Sequence, residues 1–532
     1  MRRLHLLLLP ALLGATMTTA SIAAGASATK TDRYQDPYAY ASISQLSQAM
    51  QAGTLTSVQL VKAVIRRIHE MDQQGPDLHA VIELNPDALN IARQLDRERA
   101  EGKAHGPLWG IPILLKDNID TGDRMLTTAG SLALMGAPAP RDASLVTKLR
   151  AAGMVILGKA NLSEWANYRG NHSIAGWSGR GGLTRNPYVL DRTACGSSSG
   201  SAVSVSAGYV PVAIGTETDG SIMCPSSMNG VVGIKPSVGL VSRTGVIPVS
   251  HAQDTAGPIA RNVRDAAILL TAMAGSDPHD PATINANRHA TDYSRFLLPN
   301  GLKGKRIGVV RALSGYQAGT DKLFDQAIAA MRTAGAIIID PVVIPHLHAF
   351  DQDENIALSY EFKHDINAYL ATRPGVKEKN LAALIAFNRK HAKQEMPWFG
   401  QQLFIQAEKR GPLTDPRYIE ARTAAQRLAG PEGIDAAMNK YHLDALIAPT
   451  TAPAWVVDPV DGGHYLGGSA GEAAVAGYPD ISVPMGLVRG LPVGISFFGR
   501  KWSEPKLITI AYGFEQTTHD RRKPTFIPHL GP

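Results

Sequence analysis

Between Ser42 and Asp72 apolar residues recur at helical spacing, with Val58, Val61, Ile65 and Ile68 on one face. Thr56 and Gln59 have the spacing of a capping box and mark where that helix starts. LHAVIEL (78–84) reads as a strand, and Asn85 and Pro86 as the N-cap and first residue of a charged helix running towards Gly102. GIPILL (110–115) is apolar at odd and even positions alike, as a strand covered on both faces must be. Asp142 can cap a helix that stops at Gly153, after which MVIL returns as a strand. The alternation resumes with RIGVV, a helix ending near Gly335, AIII, helical stretches between about Asp353 and Lys440, DALIAP, ISVPM and LPVGISFF. Helices alternating with short β-rich runs imply an α/β fold, a single large domain with a mixed twisted β-sheet covered by helices on both faces. No repeat or low-complexity linker divides residues 29–532.

The first residues follow another rule. Arg2 and Arg3 precede a short apolar run, and Ala26-Ser27-Ala28 supplies a small-x-small site, so residues 1–28 read as a signal peptide. The expected protein is therefore exported, periplasmic or secreted. Losing two of its 53 basic residues leaves the chain only slightly more basic than its 46 acidic residues make it acidic. With no Lys/Arg patch and no second apolar segment of membrane length, neither nucleic acid nor a stable membrane insertion is an expected partner. Cys195 and Cys224 are too few for a disulfide framework or a four-cysteine zinc site. Export permits a bridge between them, which the sequence leaves open beside the alternative of two small buried side chains.

The segment ACGSSSGSAVSVSAGYVPVAIGTETDGS (194–221) holds two serine-glycine clusters apart with an apolar stretch that reads as a buried helix-to-strand element. Gly196 to Gly200 satisfies G-x-S-x-G, but a nucleophile elbow needs a strand directly before it, and NPYVLDRTAC is none. S-x-x-K occurs at Ser27–Lys30, across the expected cleavage site, and at Ser503–Lys506, where Pro505 intervenes. Taken whole, with Lys116 closing the run GIPILLK, the segment resembles the amidase signature family. GKANLSEWAN, GIKPSVGLVSRTGVIPVS, DTAGPIARNV and PTTAPAW extend the resemblance, which within the family looks nearest to the peptide amidases. It implies the amidase signature fold and hydrolysis of carboxamides with release of ammonia, above all the C-terminal amide of peptides. Lys116 would be the base, Ser197 a bridging serine on a cis peptide bond and Ser221 the nucleophile. Backbone N–H groups of Thr218, Asp219, Gly220 and Ser221 would form the oxyanion hole. Cys195, Ser199 and Asp219 stand where the family usually has glycine, and a charged Asp219 beside the nucleophile would repel an oxyanion unless it points away.

The roles that the resemblance implies are consistent with physical chemistry. A serine hydroxyl needs a base, and no histidine lies in the two loops. Bringing a lysine from about 10.4 to about 7.5 requires roughly 4 kcal/mol against the cation, which burial behind Ile111 to Leu115 can supply. His251 and Asp254 lack metal-ligand spacing, so no metal and no cofactor is inferred. Trp165, Asn167, Arg169, Asn171 and His172 are equally open to cleft, surface or packing roles. The alternatives are an amidase or esterase acting on aryl or fatty substrates, the glutaminase component of a transamidating complex, from which export would separate it, and an inactive binding protein on the same scaffold. Substrate and water are the expected partners.

Overall fold

In the computed structural model, which describes residues 36–531, the alternation becomes one 11-stranded mixed sheet. The expected signal peptide lies outside the described residues. The strands are β1 (Val81–Leu84), β2 (Pro112–Lys116), β3 (Val155–Ala160), β4 (Trp177–Ser178), β5 (Gly182–Leu183), β6 (Val212–Glu217), β7 (Val232–Lys235), β8 (Thr255–Ala260), β9 (Arg306–Val309), β10 (Ile337–Ile339), β11 (Ala445–Pro449), β12 (Asp480–Val488) and β13 (Leu491–Phe498). β4 and β5 pair separately, and the large sheet runs β1-β3-β2-β6-β8-β7-β12-β13-β11-β9-β10. β2 lies parallel to both neighbours, β3 and β6, whereas β6, β8, β7, β12 and β13 are successively antiparallel.

Helices flank this sheet. Thr56 Oγ1 accepts from Gln59 N at 3.1 Å and Gln59 Oε1 from Thr56 N at 2.8 Å, closing the expected capping box on helix Ser57–Asp72. Two other caps are corrected. The helix after β1 begins at Ala88, and Asn85 instead accepts from Asp87 N and donates Nδ2 to Ile156 O. Asp142 lies before a helix that starts at Ser144, where it receives Gly122 N and Arg150 Nε. Both side chains find tertiary partners that outweigh the local cap. Helix Ser199–Ser206 packs on β2, β3, β6 and β8, where its face is wholly buried. Among the described residues no helix is long and apolar enough to cross a membrane.

The interior of the sheet positions the chemistry. Ile113, Leu114 and Leu115 of β2 have no solvent exposure, and each contributes about 2 kcal/mol by burial. Lys116, the last residue of that strand, is carried into the same dry environment.

Candidate active site

Two loops meet at the C-terminal ends of β2 and β6. The first contains a cis Gly196–Ser197 peptide bond and leads into helix Ser199–Ser206, whose residues need close approach: a Cβ on Gly200 would stand 2.2 Å from Ala80 O. Ser198 Oγ donates to Thr216 O at 3.0 Å and accepts from Thr216 N at 3.2 Å, pinning this loop to β6. The second loop carries Ser221 from the end of β6 into the short helix Met223–Met228. Ser198 N donates to Ser221 O at 3.1 Å, so the two loops lie side by side.

Lys116 reaches between them. Its Nζ is 2.7 Å from Ser197 Oγ, 2.8 Å from Thr216 Oγ1 and 3.0 Å from Thr216 O. Asn118 Nδ2 donates to Thr216 Oγ1 at 3.0 Å, holding that hydroxyl in place. Burial pushes the Lys116 ammonium down to about 7, against the opposing pull of Asp254 and Glu217. The lysine therefore stands poised between its charged and neutral forms near neutral pH.

Ser221 is buried but for 7 % of its surface, and no described residue hydrogen-bonds its hydroxyl. The structure thus joins Lys116 to Ser197 directly and Ser221 to that pair through the backbone. The N–H groups of Thr218, Asp219, Gly220 and Ser221 likewise have no acceptor among the described residues. Such a row of free donors beside a hydroxyl is suited to receive a negatively charged oxygen. Two carboxylates hold the loop in shape. Glu217 Oε2 accepts from Ile222 N at 2.6 Å and Met223 N at 3.0 Å, and Asp254 Oδ1 accepts from Thr218 Oγ1 at 2.6 Å. Asp219 opens onto the adjacent cleft. Its side chain is solvent-exposed on the cleft, yet crowding by the cleft walls and the charges of Glu354, Glu217 and Glu472 hold its carboxyl above the usual carboxylate range, which favours the neutral form beside Ser221.

A cleft of about 920 Å³ opens beside the loops, lined by Gly196, Asp219, Gly220, Tyr316, Trp455 and Glu472 among others. Of the upstream candidates, Asn167 and His172 line it. Trp165 instead belongs to an apolar cluster with Phe362 and Phe404, Arg169 is buried 3.2 Å from Glu164, and Asn171 is exposed with its N–H on Gln402. Cys195 and Cys224 form a disulfide with Cα atoms 5.9 Å apart, so the two small side chains are a covalent tie between the serine loops. Sequence reasoning missed Thr216, Asn118, Glu354 and Glu472, which come from separate elements and share no local spacing. Ser503 and Lys506, the S-x-x-K alternative, lie elsewhere, with Lys506 paired to Asp444 at 2.8 Å.

Comparison with known proteins converges on one family. The family model described as Amidase matches residues 59–508. The solved structure of native peptide amidase from Stenotrophomonas maltophilia is 54% identical, with a TM-score of 0.88 over 92% of this chain and 99% of that one. A probable amidase from Arabidopsis thaliana is 44% identical over 500 residues, 92% of each chain. A putative amidase from Schizosaccharomyces pombe is 37% identical over 519 residues, 92% of this chain and 87% of its own.

Proposed function

The chain belongs to the amidase family, and from that premise we propose that it is a peptide amidase, releasing ammonia from the C-terminal carboxamide of peptides through an acyl-enzyme on Ser221. The observation that carries the proposal is a buried lysine, Lys116, poised near neutrality 2.7 Å from Ser197 Oγ. A neutral primary amine offers two N–H donors and one lone pair. The two oxygens of Thr216 accept both donors, which leaves the lone pair for the Ser197 hydroxyl. As Lys116 takes the Ser197 proton, Ser197 takes that of Ser221, and Ser221 Oγ attacks the amide carbon. The carbonyl oxygen, now negative, turns to the N–H groups of Thr218, Asp219, Gly220 and Ser221, where each lost donor would cost about 3 kcal/mol. Collapse breaks the C–N bond, the nitrogen regains a proton through Ser197, and ammonia leaves. Water then follows the same relay, forming the free acid and restoring Ser221.

The substrate reading is supported by the 54% identity to a peptide amidase across most of both chains. On this reading the acyl side occupies the open cleft, while the leaving group meets a pocket sized for –NH₂, so that one further residue clashes. Export agrees with a disulfide at the site, because such bonds persist in oxidising compartments. The test pairs each peptide amide with its free acid and with a version extended by one residue, following ammonia and peptide mass together. Ammonia from the amides and no cleavage of the extended peptides is the expected result. Comparable cleavage of the extended peptides defeats the closed pocket, and activity confined to esters or fatty amides rejects peptide amides while sparing the serine-lysine relay.

A further inference from the structure

The cleft beside Ser221 is lopsided in charge. Asp219, Asp351, Glu354 and Glu472 line it, and among the described residues no lysine or arginine does. Glu472 is 1 % exposed, yet neither of its side-chain oxygens has a hydrogen-bond partner. A buried carboxylate with no well-formed hydrogen bond is costly to the folded state unless a ligand supplies one. The backbone N–H groups of Glu472 itself and of His348 face this carboxyl without forming a well-shaped hydrogen bond, and the His348 imidazole stands with Nδ1 3.7 Å from Glu472 Oε1 and 3.9 Å from Asp351 Oδ1, both beyond hydrogen-bond reach. Glu354 Oε1 accepts from Gln253 Nε2 at 2.8 Å. Asp219 Oδ2 lies 3.9 Å from where a Cβ on Gly471 would stand, so its carboxyl and the segment bearing Glu472 share one corner of the cleft.

We infer that the acyl part of the preferred substrate carries a positive charge, an ammonium or guanidinium seated among Asp219, Glu354 and Glu472; this rests on the peptide-amide reading and names the substrate class within it. The electrostatics agree. Crowding in the cleft and the charges of Glu354, Glu217 and Glu472 hold the exposed Asp219 above the usual carboxylate range, burial and Asp351 hold Glu472 above it, and burial with Asp351 and Glu472 holds Glu354 up to about 7. The other groups facing this corner are Glu217, Asp351, the phenols of Tyr316 and Tyr465, and the imidazole of His348, whose pull on Glu472 offsets only part of the negative charge gathered there. Lys235 faces Asp219 from the sheet side, where burial pushes its own ammonium down and keeps it out of the cleft. A cation arriving with the substrate would return Glu354 and Glu472, which stand away from Ser221 on separate helices, to their charged forms, while Asp219 serves it as a neutral acceptor. The same field repels the carboxylate that hydrolysis creates, which favours product release.

The test uses two matched pairs of peptide amides. One pair compares a free N-terminus with its acetylated form, and the other compares an acetylated peptide amide ending in lysine with the same peptide ending in norleucine. The kcat/KM for ammonia release is expected to be roughly tenfold or more higher for the charged member of at least one pair, and which pair responds tells an α-ammonium from a side-chain cation. Glu472→Gln, and independently Glu354→Gln, should shrink that ratio at least fivefold, a change that mere loosening of the fold does not produce. Equal kcat/KM within both pairs, or a preference for the neutral members, overturns the inference. Calorimetric binding of the same peptides to the Ser221→Ala protein separates the two readings. If no peptide amide releases ammonia but the charged peptides still bind at least fivefold tighter, the peptide-amide reading falls and the cation subsite stands. Equal binding overturns the subsite as well.

Discussion

Replacing Lys116 by methionine should remove activity and at the same time stabilise the protein at neutral pH. Moving the ammonium from an ordinary 10.5 to about 7 costs the folded state about 5 kcal/mol when the unfolded chain holds the proton. The sign is definite. Between pH 7 and 10.5 the unfolded state binds more protons than the folded one, so the stability of the natural protein rises with pH across that window, and below pH 7 it stays at its lower level. Methionine fills the same slot with no charge to desolvate. Of the groups it abandons, both Thr216 oxygens keep a donor, from Asn118 and Ser198, whereas the buried Ser197 hydroxyl loses its lysine partner at a cost of about 1 to 3 kcal/mol that is the same at every pH and drops out of the change in the gap. The stability gap between Lys116→Met and the natural protein should therefore narrow by about 2 kcal/mol from pH 7 to pH 9, other titrating groups being common to both. Urea unfolding at the two pH values measures the gap.

Kinetics read the same group independently. The kcat/KM of the natural protein on a peptide amide should rise towards a plateau with a midpoint near pH 7, because it follows the neutral fraction of Lys116 in the free enzyme. Asp254, which burial pushes up to about 6, shares the field and shapes the acid limb. A stability gap that does not change with pH, together with a rate plateau reached only near pH 10, would refute the reasoning, because Lys116 would then be an ordinary cation.

The remaining predictions concern the loops and the N-terminus. Ser221→Ala should abolish turnover with an unchanged unfolding midpoint, Ser197→Ala should lower it strongly, and a fluorophosphonate adduct located by peptide mass should sit on Ser221; an adduct on Ser197 or Ser198 would reverse the assignment. Replacing both Cys195 and Cys224 by serine opens a loop of 29 residues and should cost about 3 to 4 kcal/mol by chain entropy, seen as a lower midpoint in urea. An unchanged midpoint would mean that the bridge does not hold the loops. N-terminal sequencing of protein from its own host should find a chain beginning near Thr29, and a mature chain that starts at Met1 would remove the export reading.

What the sequence reveals and what it hides divide along a physical line. Lys116 is legible because it contradicts its surroundings, a cation closing a strand that is apolar on both faces. The loops are legible because close packing admits only small residues: Gly200 meets Ala80 O, and a Cβ on Gly215 would stand 2.8 Å from Ser198 Oγ. β8 is hidden by the same requirement, since Gly257 and Pro258 disguise TAGPIA as a loop although Pro258 lies opposite Ile214 in the ladder. Asn85 and Asp142 mislead for another reason. Their sequence neighbours favour a cap, whereas their partners, Ile156 and Gly122 among them, become available only when the sheet and its loops close. The carboxylates of the cleft are the limiting case. Asp219, Glu354 and Glu472 come from a loop and two helices, and their repulsion exists only after folding brings them together. A single chain records that assembly as three ordinary acidic residues, so charge selection by the cleft has to be read from the fold.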